Sequence, residues 1–142
     1  MRVRSLEARV YVHATENEEK VIRALHNLIG SSNIVVEELR GYFGNPITVV
    51  STSKEKEEAE EAFNRMISML TEPDRRFLLS SLEERVDKEG SLHLRFDKQK
   101  AYLGKVVLSD SDDVIKVRVR FFRESREQLI EELRSEIEGL KK

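Results

Sequence analysis

Apolar and polar residues alternate with a period of two in three stretches of this chain. Over residues 6–13 the apolar set is Leu6, Ala8, Val10 and Val12, and Glu7, Arg9, Tyr11 and His13 stand opposite. Over residues 91–97, Leu92, Leu94 and Phe96 alternate with His93, Arg95 and Asp97. Over residues 115–122, Ile115, Val117, Val119 and Phe121 alternate with Lys116, Arg118, Arg120 and Phe122. Successive side chains of a strand point to opposite faces, so each stretch predicts a strand with one face on a core and one in water. If the three share a sheet, the wet face carries five cations (Arg9, Arg95, Lys116, Arg118 and Arg120) against two carboxylates, Glu7 and Asp97.

Helical spacing fills much of the remainder. Thr15 and Glu18 have capping-box spacing ahead of Val21, Ile22, Leu25, Leu28 and Ile29, and Gly30 stands where a helix end favours a left-handed residue. Residues 34–39 predict a second, less regular strand, 40–46 a loop, and 47–51 a third strand. Thr52 with Glu55 is another capping box, ahead of a helix with Ala59, Ala62, Phe63, Met66, Ile67 and Leu70 on one side. Pro73 opens a further helix with Phe77, Leu78 and Leu82. Residues 87–90 read as a turn, 97–104 as a short loop or helical turn, and 105–108 as a strand that returns through the 114–122 strand as a hairpin. Ser125 and Gln128 cap a C-terminal helix from about residue 125, with Ile130, Leu133, Ile137 and Leu140 on one face. Strand, helix, two strands, helices, three strands, helix: this order predicts an α+β two-layer sandwich, a mixed sheet with helices on one face, in a single domain over 1–142.

Composition narrows the function classes. The chain has no cysteine, which excludes a disulfide framework and a thiolate metal site. Charged residues make up 37%, a balance that leans towards a heat-adapted source. The net charge of -2 argues against a protein that coats nucleic acid by bulk attraction, so any such function must occupy a segregated patch. The acid is segregated too, with Glu55, Glu57, Glu58, Glu60 and Glu61 clustered on one predicted helix. No apolar run approaches the roughly 20 residues that cross a bilayer. The strand pattern begins almost at the first residue, so no signal peptide, no membrane partner and a cytoplasmic location are expected.

Candidate chemistry is sparse. His13 and His93 would approach one another on the wet face, and His26 is a boundary residue beside the apolar stripe of the first helix, but no His-x-x-x-His spacing supports a metal site. No nucleophile motif or catalytic carboxylate pair accompanies them, so neither an enzyme nor a cofactor is expected. The loop over 41–46 lacks the spacing of a phosphate cradle. It is either a strand connection or an exposed loop whose Tyr42 and Phe43 stack on unpaired bases. Asp97-Lys98-Gln99-Lys100 offers two lysines for phosphates and a glutamine for a base edge or ribose hydroxyl; its alternative is a solvated loop capped by Asp97. The wet face itself suits nucleic acid, plain solvation or a dimer interface.

Several runs carry a resemblance: Val12-His13-Ala14-Thr15-Glu16, Gly44-Asn45-Pro46-Ile47, and above all Leu94-Arg95-Phe96-Asp97-Lys98-Gln99, continuing through Ala101-Tyr102-Leu103-Gly104. With Ile115-Lys116-Val117-Arg118-Val119 they make the chain, up to about Arg123, resemble the archaeal RNA-binding proteins described as predicted exosome subunits. The resemblance implies a fold similar to the ribosomal protein that holds 5S rRNA, and RNA binding rather than catalysis. Taken with the residue pattern, it leads to a non-enzymatic RNA-binding protein, an accessory factor in archaeal RNA processing or exosome-linked degradation. Its partners would be RNA and an exosome- or ribosome-associated protein. Arg95, Lys98, Lys100, Lys116, Arg118 and Arg120 would contact phosphates, Tyr11, Tyr42 and Tyr102 would stack on bases, and His13, His93 and Gln99 would meet bases or riboses. The alternative is a protein-protein adaptor that docks a partner through the sheet face or the Leu133-Ile137-Leu140 stripe.

Overall fold

A computed structural model describes residues 2–41, 44–122 and 125–140. The elements run β1 (Val3–Val12), α1 (Glu18–Ile29), β2 (Val35–Arg40), β3 (Pro46–Glu55), α2 (Lys56–Met69), α3 (Glu72–Ser80), α4 (Leu82–Arg85), β4 (Ser91–Asp97), α5 (Lys98–Tyr102), β5 (Val114–Phe121) and α6 (Arg126–Glu138). The strands form one sheet in the order β2-β3-β1-β5-β4.

Period-two alternation dictates the two faces of that sheet. Leu6, Ala8 and Val10 of β1, Leu92, Leu94 and Phe96 of β4, and Ile115, Val117 and Val119 of β5 are all buried. They share one cluster with Leu25 and Leu28 of α1, Phe63 and Met66 of α2, Leu78 of α3 and Leu133 of α6. The helices therefore cover one face and leave the other open, as the two-layer expectation requires. The expected mixed sheet is antiparallel throughout, because every neighbouring pair runs antiparallel. The α1 crossover does bring β2 parallel to β1, but β3 inserts between them, so no parallel ladder forms.

Helix starts show where local signals were overruled. Asn17, not Thr15, caps α1, its side chain accepting from the Lys20 N–H at 3.1 Å. A tight turn occupies the residues before it, with the Glu16 N–H on the His13 carbonyl at 2.9 Å and Glu16 Oε1 accepting from the His13 N–H at 2.8 Å. Thr52 caps nothing: it stays in β3 opposite Ala8, with its hydroxyl 2.7 Å from that of Ser32. The strand runs on to Glu55, and α2 begins at Lys56, whose φ of 52° makes the corner. Elsewhere the signals hold. Thr71 caps α3 with Pro73 in its first turn, Ser125 caps α6, and Gly30 closes α1 at φ 87°.

Residues 105–108 do not form the expected strand. Leu108 makes a single bridge to Phe96, flanked by Asp97 N–H to Val107 O (2.8 Å) and Ser109 N–H to Arg95 O (3.0 Å), and this short piece covers the outer edge of β4. Residues 97–104 adopt the helical-turn alternative as α5, capped by Asp97, which accepts from the Lys100 N–H at 2.8 Å. The α6 stripe is used inside the chain. Leu129, Ile130, Leu133 and Ile137 are buried, and only Leu140 keeps 38% exposure, so the stripe does not offer itself to a partner.

Candidate nucleic-acid interface

β1, β5 and β4 are adjacent, and their registers set the outward residues into rows. Arg9, Lys116 and Arg95 form one row, Glu7, Arg118 and His93 the next, and Ser5, Arg120 and Ser91 a third. Neighbouring strands lie about 4.8 Å apart and alternate residues about 6.8 Å along a strand, so these side chains make a compact grid. A shallow depression of about 390 Å³ lies over its centre, lined by Glu7, Arg9, His93, Arg95, Lys116 and Arg118. A second, of about 380 Å³, adjoins it at Arg118 and adds Arg4, Arg120, Asp87 and Glu89.

The charge on this grid is partly spent. Arg118 Nη2 donates to Glu7 Oε1 at 2.7 Å across the β1–β5 ladder. Arg95 Nη2 donates to the Ser111 carbonyl at 2.7 Å and lies 3.7 Å from Asp112, which ties it to the turn before β5. His93 Nε2 sits 2.8 Å from Asp87 Oδ2. Burial draws the Asp87 carboxyl upward, but the bonds from His93 and the Ser91 N–H outweigh it and hold Asp87 below its ordinary value. Among the described residues, Arg9, Lys116 and Arg120 have no carboxylate partner. These three supply uncompensated positive charge on the grid, and Arg4 adds to it at the margin of the second depression. Arg9, which is not among the expected RNA contacts, lies 5.7 Å from the ring centre of Tyr11, itself 37% exposed.

Lys98 is the main correction. Its side chain is 2% exposed, and Nζ is held by Asp113 Oδ1 at 2.7 Å, Glu16 Oε1 at 2.9 Å and the Tyr11 carbonyl at 3.1 Å. Capping by Asp97 turns the chain into α5, and the first helical residue points inward across the end of β1 instead of outward to phosphates. His13 Nε2 shares the same Asp113 oxygen at 3.0 Å. Desolvation raises the Asp113 carboxyl, yet the hydrogen bonds and charges of Lys98 and His13 prevail and lower it. Glu16 and Asp113 thus complete a clasp that no local pattern announced.

The other assigned residues scatter. His13 and His93 do not converge: His93 shares the row of Glu7, and His13 lies six residues further along the direction of β1, roughly 20 Å away. Each histidine pairs with its own aspartate, so the two form no acid–base pair. Tyr102 is half-buried against the core, beneath Lys20 of α1 at 5.8 Å, and its carbonyl accepts from Asn27 at 3.1 Å. It is not an open stacking platform. Gln99 and Lys100 are exposed on α5, and Gln99 borders a separate hollow with Thr15, Lys20 and Tyr102. Tyr42 lies outside the described residues. No helix among the described residues is long and apolar enough to cross a membrane.

An antiparallel sheet covered by helices on one side and bearing rows of Arg and Lys on the other is an α+β two-layer sandwich with one basic face, the electrostatic footprint expected of a nucleic-acid-binding surface. The chain belongs to the RNA-binding family, whose model matches residues 5–121. It is 37% identical to an RNA-binding protein of Pyrococcus abyssi, in an alignment covering 98% of this chain and 96% of that one. It is 36% identical to an uncharacterized protein of Methanocaldococcus jannaschii, over 82% of this chain and 83% of that one. Among solved structures it is similar to a DUF54 protein from Methanothermobacter thermautotrophicus, with TM-score 0.82, 32% identity, and coverage of 95% and 98% of the two chains. The family match ends at β5, so α6 falls beyond it.

Proposed function

We propose that this chain binds RNA on the open face of its sheet. Arg9, Lys116 and Arg120 take phosphates directly, Arg118 and Arg95 do so at the cost of loosening their internal partners, and Tyr11 stacks at the margin. The observation that carries this reading is the cross-strand grid of cations, with Arg9, Lys116 and Arg120 lacking carboxylate partners among the described residues, on the uncovered face of a net-acidic chain. Its support from relatives is the family description and the name of the Pyrococcus abyssi protein. The role we propose is binding, in line with the family description. The setting we propose is cytoplasmic and accessory to archaeal RNA processing or exosome-linked degradation.

Each phosphate contact releases condensed counterions, which makes affinity fall with salt. Changing Arg9 and Lys116 together to Ala should weaken binding and reduce the slope of log affinity against log salt by about 0.7–0.9 per lost contact. Changing Glu57 and Glu58 on α2, in the covering layer, should leave both intact. The measurement is a titration of labelled structured and single-stranded RNA at several salt concentrations. Failure of the wild type to bind either RNA at low salt, or an unaltered slope in the Arg9/Lys116 variant, would overturn the assignment.

A further inference from the structure

The two edges of the sheet are finished differently. The outer edge of β4 is closed at both ends, by the Val86–Leu92 bridge on one side and the Phe96–Leu108 bridge on the other. At the β2 edge nothing comparable exists among the described residues: β2 pairs with β3 alone, in an unbroken register from Val35–Ser51 to Arg40–Pro46. All six residues of β2 are exposed, although they lie on both faces of the sheet. Val35, Val36 and Leu39 keep 54%, 46% and 40% exposure. Natural sheets blunt a free edge with Lys or other charged side chains, Pro, a bulge or a cover, because a row of unpaired backbone groups is a template for another strand. β2 has no Lys, Pro, bulge or cover among the described residues; its charges are Glu37, Glu38 and Arg40, and they restrict which strand can pair with it.

Charge decides which strand fits. In an antiparallel pair about a two-fold axis, the residue on the axis faces its own copy, and its neighbours face one another reciprocally. An axis at Glu37 or Glu38 sets a carboxylate against itself, and an axis at Arg40 sets two guanidinium groups together; like charges directly opposite destabilise a ladder. An axis at Val36 places Val35 against Glu37 and Ile34 against Glu38, with no charge matched. An axis at Leu39 brings leucine to leucine, Glu38 to Arg40 and Arg40 to Glu38, with Glu37 opposite Gly41. Of these registers it alone pairs opposite charges, and it does so twice. Arg40 donates from Nη1 to the Gly44 carbonyl at 2.9 Å, which leaves its other guanidinium donors for the partner.

We infer that β2 pairs antiparallel with β2 of a second copy of this chain, in the register centred on Leu39, so that the sheet continues across a two-fold axis. Two five-stranded sheets become one, and the two open faces come to lie side by side on the same surface. The inference rests on the β2 edge and is independent of what the open face binds.

Sedimentation equilibrium of the full chain over a range of concentrations tests it. The wild type should be a reversible dimer, and Leu39→Asp, which places two carboxylates on the axis, should be monomeric. Glu38→Arg and Arg40→Glu should each raise the dimer dissociation constant about tenfold, since symmetry repeats every like-charge contact. The double variant Glu38→Arg/Arg40→Glu should restore it. These side chains are exposed, so unchanged circular dichroism and melting of the single variants separate loss of pairing from loss of fold. A wild type that stays monomeric at the highest concentration overturns the proposal and leaves the edge to a strand of another protein. A dimer that persists in Leu39→Asp, or a double variant that fails to restore association, overturns it equally.

Discussion

Lys98 shows what a single residue's neighbours can reverse. A lysine ammonium leaves water only where charges and acceptors replace its hydration, and Lys98 finds Asp113, Glu16 and the Tyr11 carbonyl. Those partners are 15, 82 and 87 positions away in the chain, so the run around Lys98 reads as a solvated basic loop until the fold assembles. Replacing Lys98 with Ala leaves two carboxylates facing each other over an empty position and should cost about 2–3 kcal/mol of stability. Replacing exposed Lys100 should stay within about 0.5 kcal/mol. Urea unfolding of the two single variants checks this, and equal midpoints would refute the clasp. The same cluster gives a pH dependence. The folded Asp113 carboxyl lies below its ordinary value of 3.8, so between the two values the unfolded chain binds more protons. Its contribution is fully present above the ordinary value and is lost as pH falls through the folded one. Asp113→Asn should therefore be less stable than wild type near neutrality, and the gap should close in acid. A gap that stays constant when unfolding is followed down through pH 3.8 would refute the linkage.

Elements were legible where periodicity was strict. Alternation placed Leu6, Ala8 and Val10 of β1, Leu92, Leu94 and Phe96 of β4, and Ile115, Val117 and Val119 of β5 on the buried face, because a strand has only two faces. Val3, beyond the register shift in β1, and Val114 at the start of β5 are buried outside that parity. Capping signals were less secure. Thr15 and Thr52 have the right spacing, but a turn over residues 13–16 and the long β3 ladder took those backbone groups first. The distinctive Arg-Phe-Asp-Lys-Gln run divides its labour: Phe96 fills the core, Asp97 caps α5, Lys98 holds the clasp and Arg95 fastens a turn, so much of its character is structural. α6 lies beyond the family match yet buries four large side chains, each contributing on the order of 1.5–3 kcal/mol. Ending the chain after Phe122 should lower the melting temperature or cause aggregation. A clean monomer with an unaltered thermal transition would show that α6 is dispensable to the fold.

At the scale of the whole molecule, the family, the α+β class and the division into a wet and a dry face follow from the sequence alone. Each depends on short-range pattern: period two in strands, period 3.6 in helices, and motif runs that keep their order along the chain. Which cations are available did not follow. Arg118 and Arg95 acquire acidic or carbonyl partners from other strands and turns, Lys98 is buried, and Tyr102 lies against α1, whereas Arg9, Lys116 and Arg120 have no carboxylate partner among the described residues. The order β2-β3-β1-β5-β4 likewise exposes one edge and covers the other, a matter of topology that no segment encodes by itself. Side-chain parity is a local property of the backbone and so is written in the sequence. Charge pairing and edge closure are relations between residues far apart in the chain, and only the tertiary structure brings them within the few ångströms over which they act.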